Sequence, residues 1–283
     1  MTKIPNVKLN NGVLMPQEGF GVFQIPDFDQ CKQAVKDALS AGYRAIDTAQ
    51  AYHNEEAVGD AIQESNVDRK DIFLTTKVWV SNFGDHKTAK SVEASMKKLK
   101  VDYLDLVILH QPFSDYYGAY RDLEKLYHDG KIRAIGISNF DAGRYVDFVN
   151  NVKVTPAINQ VETHVFNQQT EDRKWMNKYG TQIESWGPFA EGKNGLFTNP
   201  VLKVIGEKHD KSAAQIALKF LAQSGVVIIP KSTHIERMKQ NLAIWDFKLN
   251  DDEMNAIRGL DLNKSLFLDH HAPETANQLN HLH

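Results

Sequence analysis

The feature that most constrains this chain is an alternation. From Gly19 onward a short apolar run is followed by a stretch with helical spacing, and the pair recurs eight times. The expected pairs begin with Gly19–Phe23 and Asp29–Leu39, Tyr43–Asp47 and Glu55–Glu64, then Ile72–Lys77 and His86–Leu99. Leu104–His110 leads into Tyr116–His128, Ile132–Ser138 into Asp141–Val149, and Ala157–Gln160 into Gln169–Lys178. Thr181–Trp186 precedes two helical stretches, Pro200–Lys208 and Ser212–Gln223, and Val226–Ile229 precedes His234–Ala243. Runs such as Leu106-Val107-Ile108-Leu109 and Val226-Val227-Ile228-Ile229 are apolar at every position. Strands buried on both faces of a parallel sheet have that pattern. The alternation argues for an α/β fold, and the count favours a closed (β/α)8 TIM barrel over an open doubly wound sheet.

No proline- or glycine-rich linker interrupts the repeat, so one domain is expected over residues 1–283. Ahead of it, Val7-Lys8-Leu9 and Val13-Leu14-Met15 flank Asn10-Asn11-Gly12. That is a β-hairpin signal, read as an N-terminal cap. Behind the repeat come one further helix, Asp251–Arg258, and a tail from Asn263 expected to be irregular.

Composition removes several functions. The formal net charge of −3 gives no footprint for nucleic acid. No segment approaches the ~20 apolar residues that cross a bilayer, and the start, MTKIPNVKLNNG, lacks the apolar run of a signal peptide. The expectation is a cytoplasmic protein with no membrane partner; the sequon Asn263-Lys264-Ser265 means little without secretion. Cys31 is the single cysteine, so no intramolecular disulfide and no metal cluster is expected. Its neighbours Ala34, Val35 and Ala38 place it as a half-buried helix residue. His270-His271 and His281-Leu282-His283 are read as mobile tail histidines rather than metal ligands.

In a barrel of this kind chemistry sits at the C-terminal ends of the strands. Those ends carry Asp47, Lys77, His110, Ser138-Asn139, Gln160, Trp186 and Lys231. Ordinary loops are polar too, so the identities must decide. Lys77 either snorkels to solvent or pairs with an acid, and Asp47, one strand away, is the candidate acid. Tyr52 lies in the loop after Asp47. A free phenol titrates near pH ~10, too high for an efficient proton donor at neutral pH. A fixed ammonium beside it is expected to lower that value. His110 can hydrogen-bond a carbonyl; a lone histidine at a strand end is more often structural, and its company argues for chemistry.

No G-x-G-x-x-G opens a strand–helix unit, because Gly19-Phe20-Gly21 lacks the third glycine, and this argues against a Rossmann domain. A different anion site is expected at the eighth unit, Ile229-Pro230-Lys231-Ser232-Thr233-His234-Ile235-Glu236-Arg237. Lys231 leaves the strand there, and Ser232 or Thr233 can cap the next helix, whose first amides favour a phosphate. Ile235, Met238 and Leu242 share an apolar face, while Arg237 and Asn241 share another with Gln240 beside it.

These residues, at these places, resemble the aldo-keto reductase family. The likeness is carried by Gly42-Tyr43-Arg44-Ala45-Ile46-Asp47-Thr48-Ala49 through Tyr52, Asn54-Glu55 and Val58-Gly59. It continues at Gly136-Ile137-Ser138-Asn139-Phe140 and from Ile229-Pro230-Lys231-Ser232 through Arg237 to Asn241, and spans about Val7 to Leu260. The bacterial branch of 2,5-diketo-gluconate reductases and aldehyde reductases looks closest. The resemblance implies an NADPH-dependent oxidoreductase that turns aldehydes and ketones into alcohols by hydride transfer from nicotinamide C4. It implies Tyr52 as proton donor, Lys77 held by Asp47 and tuning the phenol, and His110 orienting the carbonyl. It further implies Ser138, Asn139 and Gln160 at the carboxamide, Trp186 stacked on the nicotinamide, and Gly187-Pro188-Phe189-Ala190 at the pyrophosphate. Lys231, Ser232, Thr233 and Arg237 would grip the 2′-phosphate, favouring NADPH over NADH, with Gln240 and Asn241 at the adenine.

Phe23, Trp79 and Gln111 are the expected substrate contacts alongside His110, with His53 at the rim. Trp186 stands where many members carry tyrosine, and Gln111 where many mammalian members carry tryptophan. The tail from Ser265 is short of the long lid of steroid-active members, so small or sugar-derived carbonyls are expected; the resemblance also implies a monomer, the default state of the family. Two other readings exist: a weakly catalytic nucleotide-sensing module, and a Schiff-base aldolase using Lys77. Pairing with Asp47 opposes the second, since it keeps the amine charged.

Overall fold

The computed structural model describes residues 4–282; the first three residues and His283, one of the tail histidines, lie outside the described residues. The hairpin is present, with β1 (Asn6–Lys8) antiparallel to β2 (Leu14–Pro16) and Val7 opposite Met15. Gly12 turns it at φ +87°, a left-handed conformation that favours glycine. Leu9 and Met15 are buried against Ala45, Phe73, Leu106, Ala157 and Val227. The hairpin therefore plugs the end of the barrel where the strands begin.

The barrel strands are β3 (Phe20–Gly21), β4 (Ala45–Asp47), β5 (Phe73–Val78), β6 (Leu106–Leu109), β7 (Ile135–Ser138), β8 (Ile158–Glu162), β9 (Gln182–Trp186) and β10 (Val227–Ile228). All eight lie in chain order, each parallel to the next. The ring closes where the Gly19 N–H donates to the Ile228 carbonyl at 2.8 Å and the Ile228 N–H to the Gln17 carbonyl at 3.0 Å. The seam is tight: a Cβ on Gly21 would sit 3.2 Å from the Ile229 carbonyl oxygen. The expected (β/α)8 barrel with a hairpin cap is thus the observed fold. The first strand is shorter than expected, because Phe23 has left the sheet and is 51% exposed.

Around the ring run α1 (Phe28–Ala41), α2 (Glu55–Gln63), α3 (Lys87–Leu99), α4 (Tyr116–His128), α5 (Ala142–Val149) and α6 (Thr170–Tyr179). They continue with α7 (Pro200–His209), α8 (Ala213–Gln223), α9 (Ile235–Leu242) and α10 (Asp251–Arg258). Asp27 caps α1 by accepting from the Gln30 N–H at 2.8 Å, and left-handed Gly42 ends it. Cys31 on α1 is fully buried rather than half-buried, and burial pushes its thiol up to about 12. No described helix is long and apolar enough to cross a membrane.

The tail departs from expectation. It forms α11 (Pro273–His281), which crosses back over the barrel's C-terminal face. Only Thr275 and Leu279 of this helix are buried, so its sequence shows almost no apolar period.

Candidate active site

Lys77 sits near the end of β5 with its side chain fully buried. An ammonium has three N–H donors. One meets Asp47 Oδ1, one the Thr48 carbonyl at 3.1 Å and one the Tyr52 hydroxyl oxygen at 3.2 Å. Burial alone would depress this amine; the charge and hydrogen bonds of Asp47 and Tyr52 outweigh it and hold Lys77 above its ordinary value. Lys77 pairs with an acid and does not snorkel.

Tyr52 is placed by a single 3-10 turn, Gln50–Tyr52, closed by His53 in a left-handed conformation. Asn54 anchors the loop from below. Its amide donates to the Val22 and Ile25 carbonyls at 3.0 and 3.1 Å, and its oxygen accepts from Thr48 Oγ1 at 2.8 Å. Tyr52 lines the cavity, and its O–H donates to none of the described residues. One expectation is corrected here. Burial raises the phenol above its ordinary value; Lys77 opposes the rise, Asp47 adds to it, and burial wins. The sequence names the neighbouring charge but not the degree of burial.

His110 follows β6. Burial first, then the nearby Lys77 charge, holds its imidazole well below the ordinary value, so the ring is neutral at neutral pH. Its Nδ1 is buried without a partner among the described residues. Its ring meets Tyr52 and Trp79 edge-on, at centroid distances of 5.7 and 5.2 Å. Phe23 lies 5.0 Å from the Tyr52 ring. Tyr52, His110, Trp79, Phe23, Gln111 and His53 all line one cavity of about 960 Å³. A larger cavity, about 1130 Å³, lies by the hairpin among Arg44, Asp71 and Arg133, away from all of these groups.

The cavity continues past Ser138, Asn139, Gln160, Trp186, Gly187, Pro188 and Phe189 to Lys231 and Arg237. Ser138 Oγ donates to the Gln160 carbonyl at 2.7 Å. Asn139 accepts from Trp186 Nε1 at 2.7 Å and donates to the His110 carbonyl and Gln111 Oε1 at 3.3 and 3.2 Å. Gly187 turns the chain at φ +63° directly after Trp186. Lys231 and Arg237 are exposed and make no ion pair among the described residues.

The helix start beside them differs from expectation. Neither Ser232 nor Thr233 caps α9, which begins after His234 with no side-chain cap. Ser232 Oγ instead accepts from the His234 N–H at 3.1 Å, a local turn two residues too early to be a cap. On α9 Asn241 is buried while Arg237 and Gln240 are exposed, so Asn241 does not share the exposed face that carries Arg237. Ser232, Thr233, Gln240 and Asn241 do not line the cavity.

Sequence reasoning missed two parts of the site. One is Glu184, fully buried inside the barrel and hydrogen-bonded to Gln160 Nε2 at 3.0 Å. The other is the tail. Trp79 Nε1 donates to the Leu282 carbonyl at 2.8 Å, His270 Nε2 lies 3.0 Å from Gln111 Oε1, and Phe267 packs edge-on to Trp186 at 5.2 Å. His270 stacks parallel to Phe113 at 6.2 Å and is partly buried, so it packs into the site instead of standing in solvent. Glu162 fastens the tail, accepting from Ser265 Oγ and from the Leu266 N–H at 2.8 Å. Gln24 and Glu191 meet across the mouth at 3.3 Å.

A buried acid–lysine–tyrosine chain beside a neutral histidine at the top of a (β/α)8 barrel defines a class of enzyme. Residues 19–262 match the model of the aldo/keto reductase family. The chain belongs to that family and is an oxidoreductase. It is 45% identical over 255 residues to a glyoxal reductase of Bacillus subtilis, covering 90% of this chain and 92% of that one. It is 39% identical over 264 residues to a methylglyoxal reductase of Escherichia coli K12, covering 92% and 94%. Among solved structures, a Bombyx mori aldo-keto reductase in complex with NADP superposes with a TM-score of 0.89 at 31% identity, covering 94% of this chain and 96% of that one.

Proposed function

We propose that this chain is an NADPH-dependent reductase of small aldehydes and ketones in which Tyr52 protonates the carbonyl oxygen. The observation that carries the reading is the committed donor set of Lys77. With its donors directed at Asp47, Thr48 and Tyr52, the lysine fixes the phenol oxygen and leaves the Tyr52 O–H free to reach a ligand.

The cavity suits an extended dinucleotide phosphate. Its outer end carries two cations with no ion-pair partner among the described residues, Lys231 and Arg237, which suits a phosphate monoester. Its middle is flanked by Gly187, where no Cβ intrudes, and by the flat indole of Trp186. Near its inner end Gln160 Oε1 and Ser138 Oγ have acceptor capacity for a carboxamide. Bound there, the cofactor supplies the hydride that the carbonyl carbon takes up.

The chain's own groups do the rest. His110, neutral, can donate one ring N–H to the carbonyl oxygen and orient it without competing for the proton. Tyr52 stays protonated until that oxygen becomes basic, because burial keeps its phenol high. As the proton leaves, the developing phenolate is met by the Lys77 N–H already 3.2 Å away, so little reorganisation is needed. Asp47 holds the ammonium in place. Running backwards, Tyr52 is the base. Lys77, held charged, is a poor Schiff-base nucleophile. The tail closes the mouth with Leu279, Leu282 and His270, leaving room for small substrates. The similarity to glyoxal and methylglyoxal reductases supports short dicarbonyls as the first compounds to try.

A panel of short aldehydes and dicarbonyls should deplete NADPH absorbance. Tyr52→Phe should lower turnover about 10²- to 10⁴-fold while NADPH still binds. Unchanged turnover in that variant would remove Tyr52 from its role. Tight NADPH binding with no turnover across the panel would favour a nucleotide-sensing module instead.

A further inference from the structure

Gln160 and Glu184 are register partners on the adjacent parallel strands β8 and β9. Gln160 Nε2 donates to Glu184 Oε2 at 3.0 Å and to Asp47 Oδ2 at 3.1 Å. A primary amide nitrogen has two N–H bonds, and here each ends on a carboxyl group. The reverse amide orientation would press Oε1 against Asp47, which is ion-paired to Lys77, so the network fixes which atom faces which way. Oε1 accepts from none of the described residues and belongs to a side chain lining the cavity.

We propose that Glu184 is a positioning residue: with Asp47 it pins the Gln160 amide so that only the acceptor Oε1 is offered to the carboxamide N–H2 of the nicotinamide. The inference rests on the cofactor reading above. A protonated Glu184 suits the role. Burial, then the Asp47 charge, pushes its carboxyl up to about 8, and its Oε1 is buried without a partner among the described residues, which an ionised carboxylate tolerates poorly. Either oxygen of a neutral acid still accepts a hydrogen bond. Without Glu184, one Gln160 N–H has no acceptor, and the single remaining bond to Asp47 no longer fixes the plane of the amide, so Oε1 is not held toward the carboxamide.

The test compares the binding of three ligands by tryptophan fluorescence or calorimetry. They are NADP⁺, its acetylpyridine analogue, in which a methyl ketone replaces the carboxamide, and 2′-phospho-ADP-ribose, which lacks the ring altogether. Glu184→Leu should weaken NADP⁺ about tenfold and leave the other two within about twofold. Glu184→Gln, which keeps an acceptor oxygen, should restore NADP⁺ binding. An equal loss for all three ligands would make Glu184 a prop for the barrel and overturn the proposal, as would no loss at all. If Glu184→Leu does not fold, Glu184→Met is read against the same three ligands. Gln160→Leu separates the levels of the argument. A selective NADP⁺ loss there, with none in the Glu184 variants, sinks only the Glu184 proposal; no selective loss there sinks the carboxamide assignment itself.

Discussion

At the inner end of the cavity Lys77 is fully buried with its donors committed to Asp47, Thr48 and Tyr52. At the outer end Lys231 and Arg237 are exposed and have no ion-pair partner among the described residues. Cations occur at both ends, and they do opposite work. A cation already paired gains little when a ligand arrives; it holds a geometry and a charge distribution ready for a step that has not happened. An unpaired cation contributes little until an anion arrives, and then contributes affinity. Damage to the inner end should therefore appear in turnover and in stability. Damage to the outer end should appear in cofactor KM.

The largest expected effect tests the inner end. Lys77→Met strands the Asp47 carboxylate in the barrel and should cost about 3–5 kcal/mol of stability, measured from the denaturant midpoint. Adding Asp47→Asn removes the stranded charge and should return most of that stability. Turnover should stay at least about 10²-fold down in the double variant, because nothing then meets the developing phenolate. Recovery of activity along with stability would mean that the inner lysine is only a structural ion pair.

At the outer end, Lys231→Ala and Arg237→Ala should each raise the NADPH KM about 10- to 100-fold, the value of one charge-assisted contact of about 1.5–3 kcal/mol. Turnover at saturating NADPH, and the KM for NADH, should stay within about twofold. The wild-type NADPH KM should also climb with salt, since these exposed charges are screened. A matching loss with NADH would show that the two cations serve the fold or a phosphate common to both cofactors.

The sequence displays these two ends unequally well. Asp47, Lys77 and His110 stand out because each closes an apolar run with a residue that such a run does not need. The barrel stands out because strands buried on both faces have no polar positions with which to alternate. Glu184 is one polar residue among several within Thr181–Trp186 and does not close the run. Yet side chains two apart on a strand share a face, so assigning Trp186 to the site already directs Glu184 to the barrel interior. The turn at Ser232 and the burial of Asn241 depend on where α9 begins, by a residue or two, which local composition does not fix. α11 shows too little apolar period to be seen. The direction of the Tyr52 shift depended on burial against one neighbouring charge, and burial is a property of the whole packed cavity.

Glu18 marks the limit of that legibility and gives the smallest of these tests. It precedes β3 at the seam of the barrel and is fully buried, accepting from Trp245 Nε1 at 2.8 Å and from the Tyr43 hydroxyl at 3.3 Å. Burial outweighs both hydrogen bonds and pushes its carboxyl up to about 8. An unfolded glutamate titrates near ~4.3. Between those values the folded chain keeps a proton that the unfolded chain has lost, so stability is full below the lower value and falls as pH rises toward the upper one. The slope from this group is at most about 1.4 kcal/mol per pH unit. Glu184, raised in the same direction, adds to it. Glu18→Gln removes the titration but keeps an oxygen for Trp245 and supplies an N–H for the Tyr43 hydroxyl, which can still donate to the Met238 carbonyl now 3.3 Å away. The urea midpoint of the wild type should therefore drop between about pH 5.5 and 8 more steeply than that of Glu18→Gln. Parallel curves would place Glu18 in the ionised state throughout. The two hydrogen bonds would then outweigh burial at the seam, as Asp47 and Tyr52 outweigh it for Lys77 in the site.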